Sequence, residues 1–196
     1  MTRGHAEALV PMVDETLREA GLGFPEIAAI AVTVGPGSFT GVRAGLAAAR
    51  GLALARDLPL IGIDSFAAIA HALPARECAG RATVVAIDTK RRDLYLSAVL
   101  ASGETAIEPC VARPEDVVGL LPAAPIALAG DGRHMLRPLL QEVDVREIAI
   151  DGPDARDVAL IASRLAASRE TGRPALPLYL REPEAVVPKF GGRLRP

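Results

Sequence analysis

The chain has 196 residues, half of them hydrophobic, so it can bury a sizeable core in one or two compact units. A net charge of −2 argues against a protein that grips nucleic acid by itself, and the short basic cluster in the tail, at Lys189, Arg193 and Arg195, is interpreted as solvated. Cys78 and Cys110 offer no disulfide framework, and the sequence shows no membrane span or signal peptide, so we expect a cytoplasmic protein that does not associate with membranes.

The first half of the chain predicts alternating helices and strands. Hydrophobic spacing and turn residues predict a helix over 4–20, a strand over 27–34, a helix over 40–56, a strand over 59–63 and a helix over 65–73. Asp64 or Ser65 is suited to cap the last of these helices. The first helix is amphipathic and needs a sheet or a bundle to cover its apolar side.

A glycine-proline turn, Gly35 to Phe39, connects the first predicted strand to an alanine-rich helix. Backbone N–H groups at such a turn can bind phosphate, which makes Gly35 and Gly37 weak candidates for nucleotide binding. The spacing matches neither a Walker loop nor a dinucleotide fingerprint, and no lysine lies between Gly37 and Gly41. A structural strand-to-helix turn is therefore the favoured interpretation.

The helix at 41–56 carries small residues on more than one side, at Gly41, Gly45, Ala48, Ala49 and Ala53. A helix that covers only its own sheet needs a single apolar stripe, so the surplus indicates a second partner, either another helix of this chain or another chain. A central helix in an alanine-rich protein would show the same composition. Composition alone does not separate the two interpretations.

The second half predicts the order βββαβαβα. The elements are strands over 82–88, 94–101 and 106–111, a helix over 114–121, a strand over 125–129, a helix over 133–141, a strand over 146–150 and a helix over 154–168. The first half matches the last five of these elements and lacks the three opening strands. Asp88, which follows the first of these strands, is a further weak candidate for cofactor binding, although a turn residue is the more common role.

Three stretches carry a family resemblance. The run VTVGPGSFTGVRAGLAAARGLALA, preceded by RGHAEALVPMVDETLREAGL and followed by PLIGIDSFAAIA, resembles the TsaB (YeaZ) family. DTKRRDLYLSAV and PLYLREPEA are similar to two further motifs of that family, whereas residues 103–170 carry no recognised motif. The family is the dimerisation subunit of the bacterial machinery that forms N6-threonylcarbamoyladenosine in tRNA.

The resemblance implies an α/β fold of the ASKHA (actin, sugar kinase and Hsp70-like) superfamily with duplicated βββαβαβα halves. It implies a truncated first subdomain over 1–76, a second subdomain over 80–170 and a C-terminal tail over 171–196 that packs or is partly disordered. Family members have about forty more residues, forming three strands, before the first helix found here. Either the start codon is assigned too late, or the sequence is truncated, or the protein is degenerate, and the first interpretation is favoured.

The function implied by the resemblance is that of a non-catalytic subunit without a cofactor or metal. It would scaffold a TsaD-like catalytic subunit, recruit a TsaE-like ATPase and meet tRNA only through the complex. A third interpretation is a self-associating remnant with no partner, since the same helical face could form homodimers. The predicted interface residues are His5, Leu9, Met12, Val42, Arg43, Leu46 and Arg50. Leu46→Glu is expected to abolish pairing while leaving the chain folded.

The alternative is an ASKHA-type ATP-binding enzyme or a glycoprotease-like hydrolase that uses the loop from Gly35 to Gly41 together with Asp88. The sequence supplies no paired histidines with metal-ligand spacing, because His5, His71 and His134 are far apart. It also lacks a G-x-S-x-G elbow, and no histidine or lysine neighbours Ser38 in the sequence.

Overall fold

The structure, a computed structural model, describes residues 5–168 and 173–181. The first half contains α1 (His5–Glu19), β1 (Ile30–Thr33), α2 (Phe39–Leu54), β2 (Leu60–Ile63), α3 (Ser65–His71) and the single turn α4 (Ala75–Cys78). The second half contains β3 (Ala82–Asp88), β4 (Leu94–Val99), β5 (Thr105–Ala112), α5 (Pro114–Val117), β6 (Ile126–Ala129), α6 (Arg133–Leu136), β7 (Val145–Glu147) and α7 (Ala155–Ser168). Short 3-10 turns lie at Phe24–Glu26 and Arg137–Leu139.

The strands form two sheets with related connections. In the second half the order is β5-β4-β3-β6-β7, with antiparallel pairing from β5 to β3 and parallel pairing from β3 through β6 to β7. In the first half β1 and β2 pair in parallel, with Ile30 opposite Leu60. The pair β1-β2 occupies the place that β6-β7 has in the second half. The mixed α/β fold expected from the sequence is confirmed.

The largest core lies in the second half, on the side of the five-stranded sheet that packs against α5 and α6. Its fully buried side chains include Val84, Leu96, Leu128 and Leu136. A second cluster lies on the opposite face, where Phe66 and Ile69 of α3 cover the sheet. Helix α3 therefore belongs to the first half of the sequence, but it packs against the sheet of the second half.

Most predicted elements are found, and the differences have local causes. The strand predicted over 27–34 forms only at 30–33, where β2 supplies its hydrogen-bonding partner. The helix predicted over 133–141 divides into α6 and a 3-10 turn because Pro138 cannot donate a backbone hydrogen bond. Helix 114–121 ends at Val117, and strand 146–150 forms at 145–147. Asp64 caps α3, since its side chain accepts a hydrogen bond from the Ala67 backbone N–H at 2.8 Å.

Residues 173–181, here called the strap, join the two halves. The Gly62 N–H donates to the carbonyl of Arg173 at 3.1 Å, and the Leu178 N–H donates to the carbonyl of Val34 at 2.7 Å. At its far end the strap packs Leu180 on the second-half core and pairs Arg181 with Asp93. The remainder of the predicted tail, residues 171–172 and 182–196 with its basic cluster, lies outside the described residues.

Within the described residues, no helix is both long enough and apolar enough to cross a membrane.

Candidate functional site

The glycine-proline turn is enclosed by its own chain. Gly35 and Pro36 are buried, and Gly35 has a positive φ of +97°. The carbonyl of Gly35 accepts a hydrogen bond from the Ser65 N–H at 2.8 Å. A Cβ added at Gly35 would lie 3.5 Å from both the Leu178 carbonyl oxygen and the Val42 side chain. These contacts support the structural interpretation of the turn, in which it seats β1, α2 and the strap against one another.

The hydroxyl of Ser38 has a local role. It lies in the N-cap position of α2 and accepts a hydrogen bond from the Gly41 N–H at 3.3 Å. Such a cap satisfies one of the unpaired N–H groups of the first helical turn.

Asp88 forms a charged cluster with Lys90 and Asp131 at the ends of β3 and β6. The Lys90 ammonium nitrogen lies 3.2 Å from the Asp88 carboxylate and 2.7 Å from that of Asp131. The other Asp131 oxygen accepts a hydrogen bond from the Asp88 N–H at 2.8 Å. The hydrogen bond to Asp131 is the main reason that the pKa of Lys90 is raised, and that to Asp88 adds to it. Asp88 is thus paired with a lysine of its own hairpin.

One member of this cluster, Asp131, was not predicted from the sequence. Asp131 lies 43 residues beyond Asp88, in a Gly130-Asp131-Gly132 loop that follows β6. The loop comes close to β3, because an added Cβ at Gly130 would lie only 2.0 Å from the Ala86 carbonyl oxygen. Two glycines flanking an aspartate directly after an apolar strand are the signal that could have indicated it.

The histidines do not converge. The Nδ1 atom of His71 lies 2.6 Å from a carboxylate oxygen of Asp157 and joins α3 to α7, whereas Nδ1 of His134 contacts the carbonyl of Asp131 at 2.6 Å. The side chain of His5 lies outside the described residues. Across residues 5–168 and 173–181, no group of three or more His, Cys, Asp or Glu side chains is arranged to hold a metal ion.

The predicted interface residues of α1 lie at its surface and beside a groove. Met12 is 53% exposed, and its neighbour Val10 is 52% exposed. Leu9 is half-buried and lines an apolar groove of about 600 Å³ between α1, β1, α2 and α7. Gly45 and Ala49 of α2 line the same groove, so the small residues noted in the sequence leave space on that side of α2.

Leu46 was predicted as an interface residue, and the structure corrects this. Its side chain is only 2% exposed, because it faces the interior of the chain from the centre of α2. A glutamate there would bury a charge, so Leu46→Glu would unfold the protein and could not report on pairing. Val42 is half-buried and packs toward the glycine-proline turn.

Arg43 and Arg50 already have partners on the strap. The Nε–H of Arg43 donates to the Tyr179 hydroxyl at 2.8 Å, and its guanidinium lies 3.7 Å from the centre of the Phe39 ring. Arg50 donates to the Ala175 carbonyl at 2.5 Å. Both arginines are predicted interface residues, and their contacts with the strap are not visible in the sequence because Arg43 and Tyr179 are 136 residues apart.

The outward side of α2 is formed by small residues and one large apolar side chain. Ala47 and Gly51 are exposed, and a Cβ added at Gly51 would meet nothing within 4 Å. Leu54 lies on the same side, one turn further, and is 84% exposed, the highest value among the exposed large hydrophobic residues. Met12 on α1 is exposed as well, so both helices leave large apolar side chains open to solvent.

Comparison with known proteins identifies the family. The family model described as "TsaD: tRNA N6-adenosine threonylcarbamoyltransferase" matches residues 1–185. The TsaB protein of Haemophilus influenzae, described as a tRNA threonylcarbamoyladenosine biosynthesis protein, is 43% identical over 98 residues. The chain belongs to the TsaB family. That alignment covers 50% of this chain and 41% of the H. influenzae protein, so the matched segment spans about two fifths of that TsaB.

Two further relatives match most of the chain. An uncharacterized protein of Mycobacterium tuberculosis strain H37Rv is 33% identical over 183 residues, which cover 93% of this chain and 78% of that protein. A crystal structure from Pseudomonas aeruginosa, described as an uncharacterized protein with similarity to peptidase YEAZ, superposes with a TM-score of 0.78 at 32% identity. The superposition covers 92% of this chain and 86% of the other. The TsaB-like fold therefore extends over nearly the whole chain.

Proposed function

We propose that this chain acts in the formation of N6-threonylcarbamoyladenosine in tRNA, as a non-catalytic subunit that pairs with a TsaD-like catalytic subunit. Its TsaB relatives from Haemophilus influenzae and Escherichia coli are described as tRNA threonylcarbamoyladenosine biosynthesis proteins, which supports the pathway. A TsaE-like ATPase would join the paired complex, and the modified adenosine would be processed on the catalytic subunit. The observation that carries the pairing is the open apolar surface on α1 and α2.

The composition of that surface is suited to another helix. Leu54 and Met12 expose apolar area that association would remove from water, and each fully buried side chain of this size contributes on the order of 2 kcal/mol. Ala47 and Gly51 between them present almost no side chain, so a partner helix can approach closely. Leu9 and His5 lie on the same helix as Met12 and stay in the proposed interface. Leu46 is no longer included.

The contacts of the candidate catalytic groups support a subunit without its own chemistry. The Asp88 carboxylate is paired with the Lys90 ammonium. The Ser38 hydroxyl caps α2, and the Gly35 carbonyl is used by Ser65. Each of these groups therefore has a structural partner in the chain.

The pairing is tested by placing a charge on the proposed surface. Leu54→Arg and Met12→Arg should each weaken binding to the TsaD-like subunit of the same organism at least thirtyfold, because a central apolar contact contributes about 2 kcal/mol or more. Leu160→Arg on α7 is the matched control, since Leu160 is also an exposed leucine, at 41%. Binding would be measured by co-elution and by titration calorimetry on the purified chains.

Two results would overturn the proposal. If Leu54→Arg and Met12→Arg pair as tightly as the wild type, the surface is not the interface. If the pure chain binds ATP saturably in the micromolar range, the enzyme interpretation replaces that of a non-catalytic subunit.

A further inference from the structure

Two exposed aromatic rings lie side by side where α2 meets the strap. The chain has only four phenylalanines, two tyrosines and no tryptophan. Phe39 is nevertheless 58% exposed and Tyr179 is 51% exposed, with their ring centroids 5.9 Å apart. The Arg43 guanidinium stacks on Phe39 and lies 5.6 Å from the centre of the Tyr179 ring. We call Phe39, Arg43, Arg50 and Tyr179 the aromatic–arginine surface.

The two arginines of this surface have no carboxylate partner among the described residues. Arg43 and Arg50 donate to a hydroxyl and a carbonyl, and neither takes part in an ion pair within the described part of the chain. By contrast, Arg81, Arg133 and Arg146 each pair with an acid. The sequence from Ser38 to Arg56 contains no Asp or Glu. The surface therefore carries two guanidinium charges without an ion-pair partner among the described residues, on a protein whose net charge is −2.

Helix geometry aligns these groups in a row. Positions 39, 43 and 50 lie within an arc of about 40° on one side of α2, and the rise between them is about 6 Å and then about 10 Å. Tyr179 extends the row through its hydrogen bond to Arg43. The row thus combines flat rings at one end with guanidinium groups along the helix.

We propose that the aromatic–arginine surface binds a single-stranded segment of RNA, with unpaired bases stacking on Phe39 and Tyr179 and backbone phosphates meeting Arg43 and Arg50. Aromatic rings next to positive charge are the combination that holds single strands, because every base has a face to stack and every nucleotide has a phosphate. The choice of RNA rests on the proposed function. The surface would then be where this subunit contacts the tRNA directly.

The two rings of this surface are separate from the proposed pairing surface. Phe39 begins α2, whereas Leu54 ends it about 22 Å further along, one turn beyond Arg50, and Met12 lies on α1. An RNA strand at Phe39 and a helix at Leu54 would therefore use different parts of α2. Substitutions can test the two proposals separately.

The test measures binding of the full chain to a fluorescein-labelled single-stranded RNA of about ten nucleotides by fluorescence anisotropy at low salt. Tyr179→Ala and Phe39→Ala should each weaken binding about tenfold, because each removes one stacking ring. Tyr179→Phe keeps the ring and loses only the hydroxyl that Arg43 contacts, so it should bind nearly as well as the wild type. Having two ring variants keeps the test decisive if one of them disturbs the strap.

The arginines are tested by salt dependence. Arg50→Ala should lower the slope of log affinity against log salt by about 0.7, the value for one phosphate contact on a single strand. Arg164→Ala on α7 is the matched control, since it removes the same charge from an exposed helix elsewhere. A duplex of the same length should bind more weakly than the single strand, because its bases are already stacked.

Three outcomes would overturn this inference. The first is a wild-type chain that does not bind the single strand. The second is binding that is unchanged by loss of either ring. The third is a Tyr179→Ala variant that still binds RNA but no longer pairs with the TsaD-like subunit. That result would make the surface a protein interface. If Leu54→Arg loses pairing but still binds the RNA, the inference is supported. If the wild-type chain does not pair with the TsaD-like subunit but binds the RNA through its rings, only the proposed function is overturned.

Discussion

The strands β1 and β6 have similar sequences and very different surroundings. Both are four apolar or small residues, IAVT and IALA, that lead into a glycine turn. All four residues of β6 are buried, because β3 and β7 flank the strand and the two core clusters cover both of its faces. All four residues of β1 are only half-buried, and within the described residues its single strand partner is β2. The number of neighbours, and not the apolar content, sets how deeply a strand is buried.

The turns that follow these strands differ in the same way. Gly35 and Gly130 have nearly the same positive φ, +97° and +95°. A Cβ added at Gly35 would lie 3.5 Å from its nearest neighbouring atoms, an ordinary contact distance. At Gly130 it would lie 2.0 Å from the Ala86 carbonyl oxygen, since β3 runs beside it. The backbone conformation is strained for a side chain at both turns, but only Gly35 has space for a Cβ.

The largest expected effect is that of alanine at these two turns. Gly130→Ala should lower the free energy of unfolding by about 4 kcal/mol or more, because it adds a backbone clash to a left-handed conformation. Gly35→Ala should cost only about 1–2 kcal/mol, the cost of the conformation itself. Urea unfolding followed by circular dichroism measures both values. Equal losses would mean that β3 does not constrain the second turn as the structure shows.

A matched pair of isoleucines sharpens the comparison of the strands themselves. Ile126 begins β6 and is fully buried, and Ile30 begins β1 and is half-buried. Ile126→Ala should cost about 4 kcal/mol, near the upper end for a cavity in a packed core, and Ile30→Ala about 2 kcal/mol. Denaturant titrations of the two variants test this. If Ile30→Ala costs as much as Ile126→Ala, a further element covers β1 in solution.

Local patterns in the sequence were sufficient to predict most elements. Strand β3 was predicted with its observed bounds, and α2 within two residues at either end. The Asp64 cap was predicted as one of two candidates because Asp before an apolar helix is a strong local signal. The single turn α4 was missed, since four residues are too few to show a helical period.

The contacts of the candidate surfaces depend on positions far apart in the chain. From its position on α2, Arg43 could contact either another protein or another part of its own chain. Only the fold brings Tyr179 to it across 136 residues. Likewise, α2 has apolar residues on several of its sides. The sequence therefore does not show that Leu46 is buried and Leu54 exposed, because this depends on which side of the helix faces the sheet.

The smallest expected effect concerns the strap, through which the halves are joined at Asp93. Partial burial raises the pKa of Asp93, but the hydrogen bond from Thr89 and the Arg181 guanidinium outweigh it and hold the pKa below its ordinary value of 3.8. The unfolded chain therefore binds more protons between the two pKa values, so this contribution to stability is present above about pH 4 and is lost as the pH falls through the folded-state pKa.

Asp93→Asn should lower the free energy of unfolding by about 1 kcal/mol at neutral pH, because the amide keeps the shape but loses the charge that Arg181 contacts. It should also flatten the fall in stability on acidification, since the variant has no proton to take up at this site. Urea titrations at a series of pH values compare the two proteins, with Glu108→Gln, an exposed position on β5, as the control. Parallel pH profiles for wild type and Asp93→Asn would mean that the ion pair does not hold the strap to the second half, and that the packing of Leu180 on the second-half core does so instead.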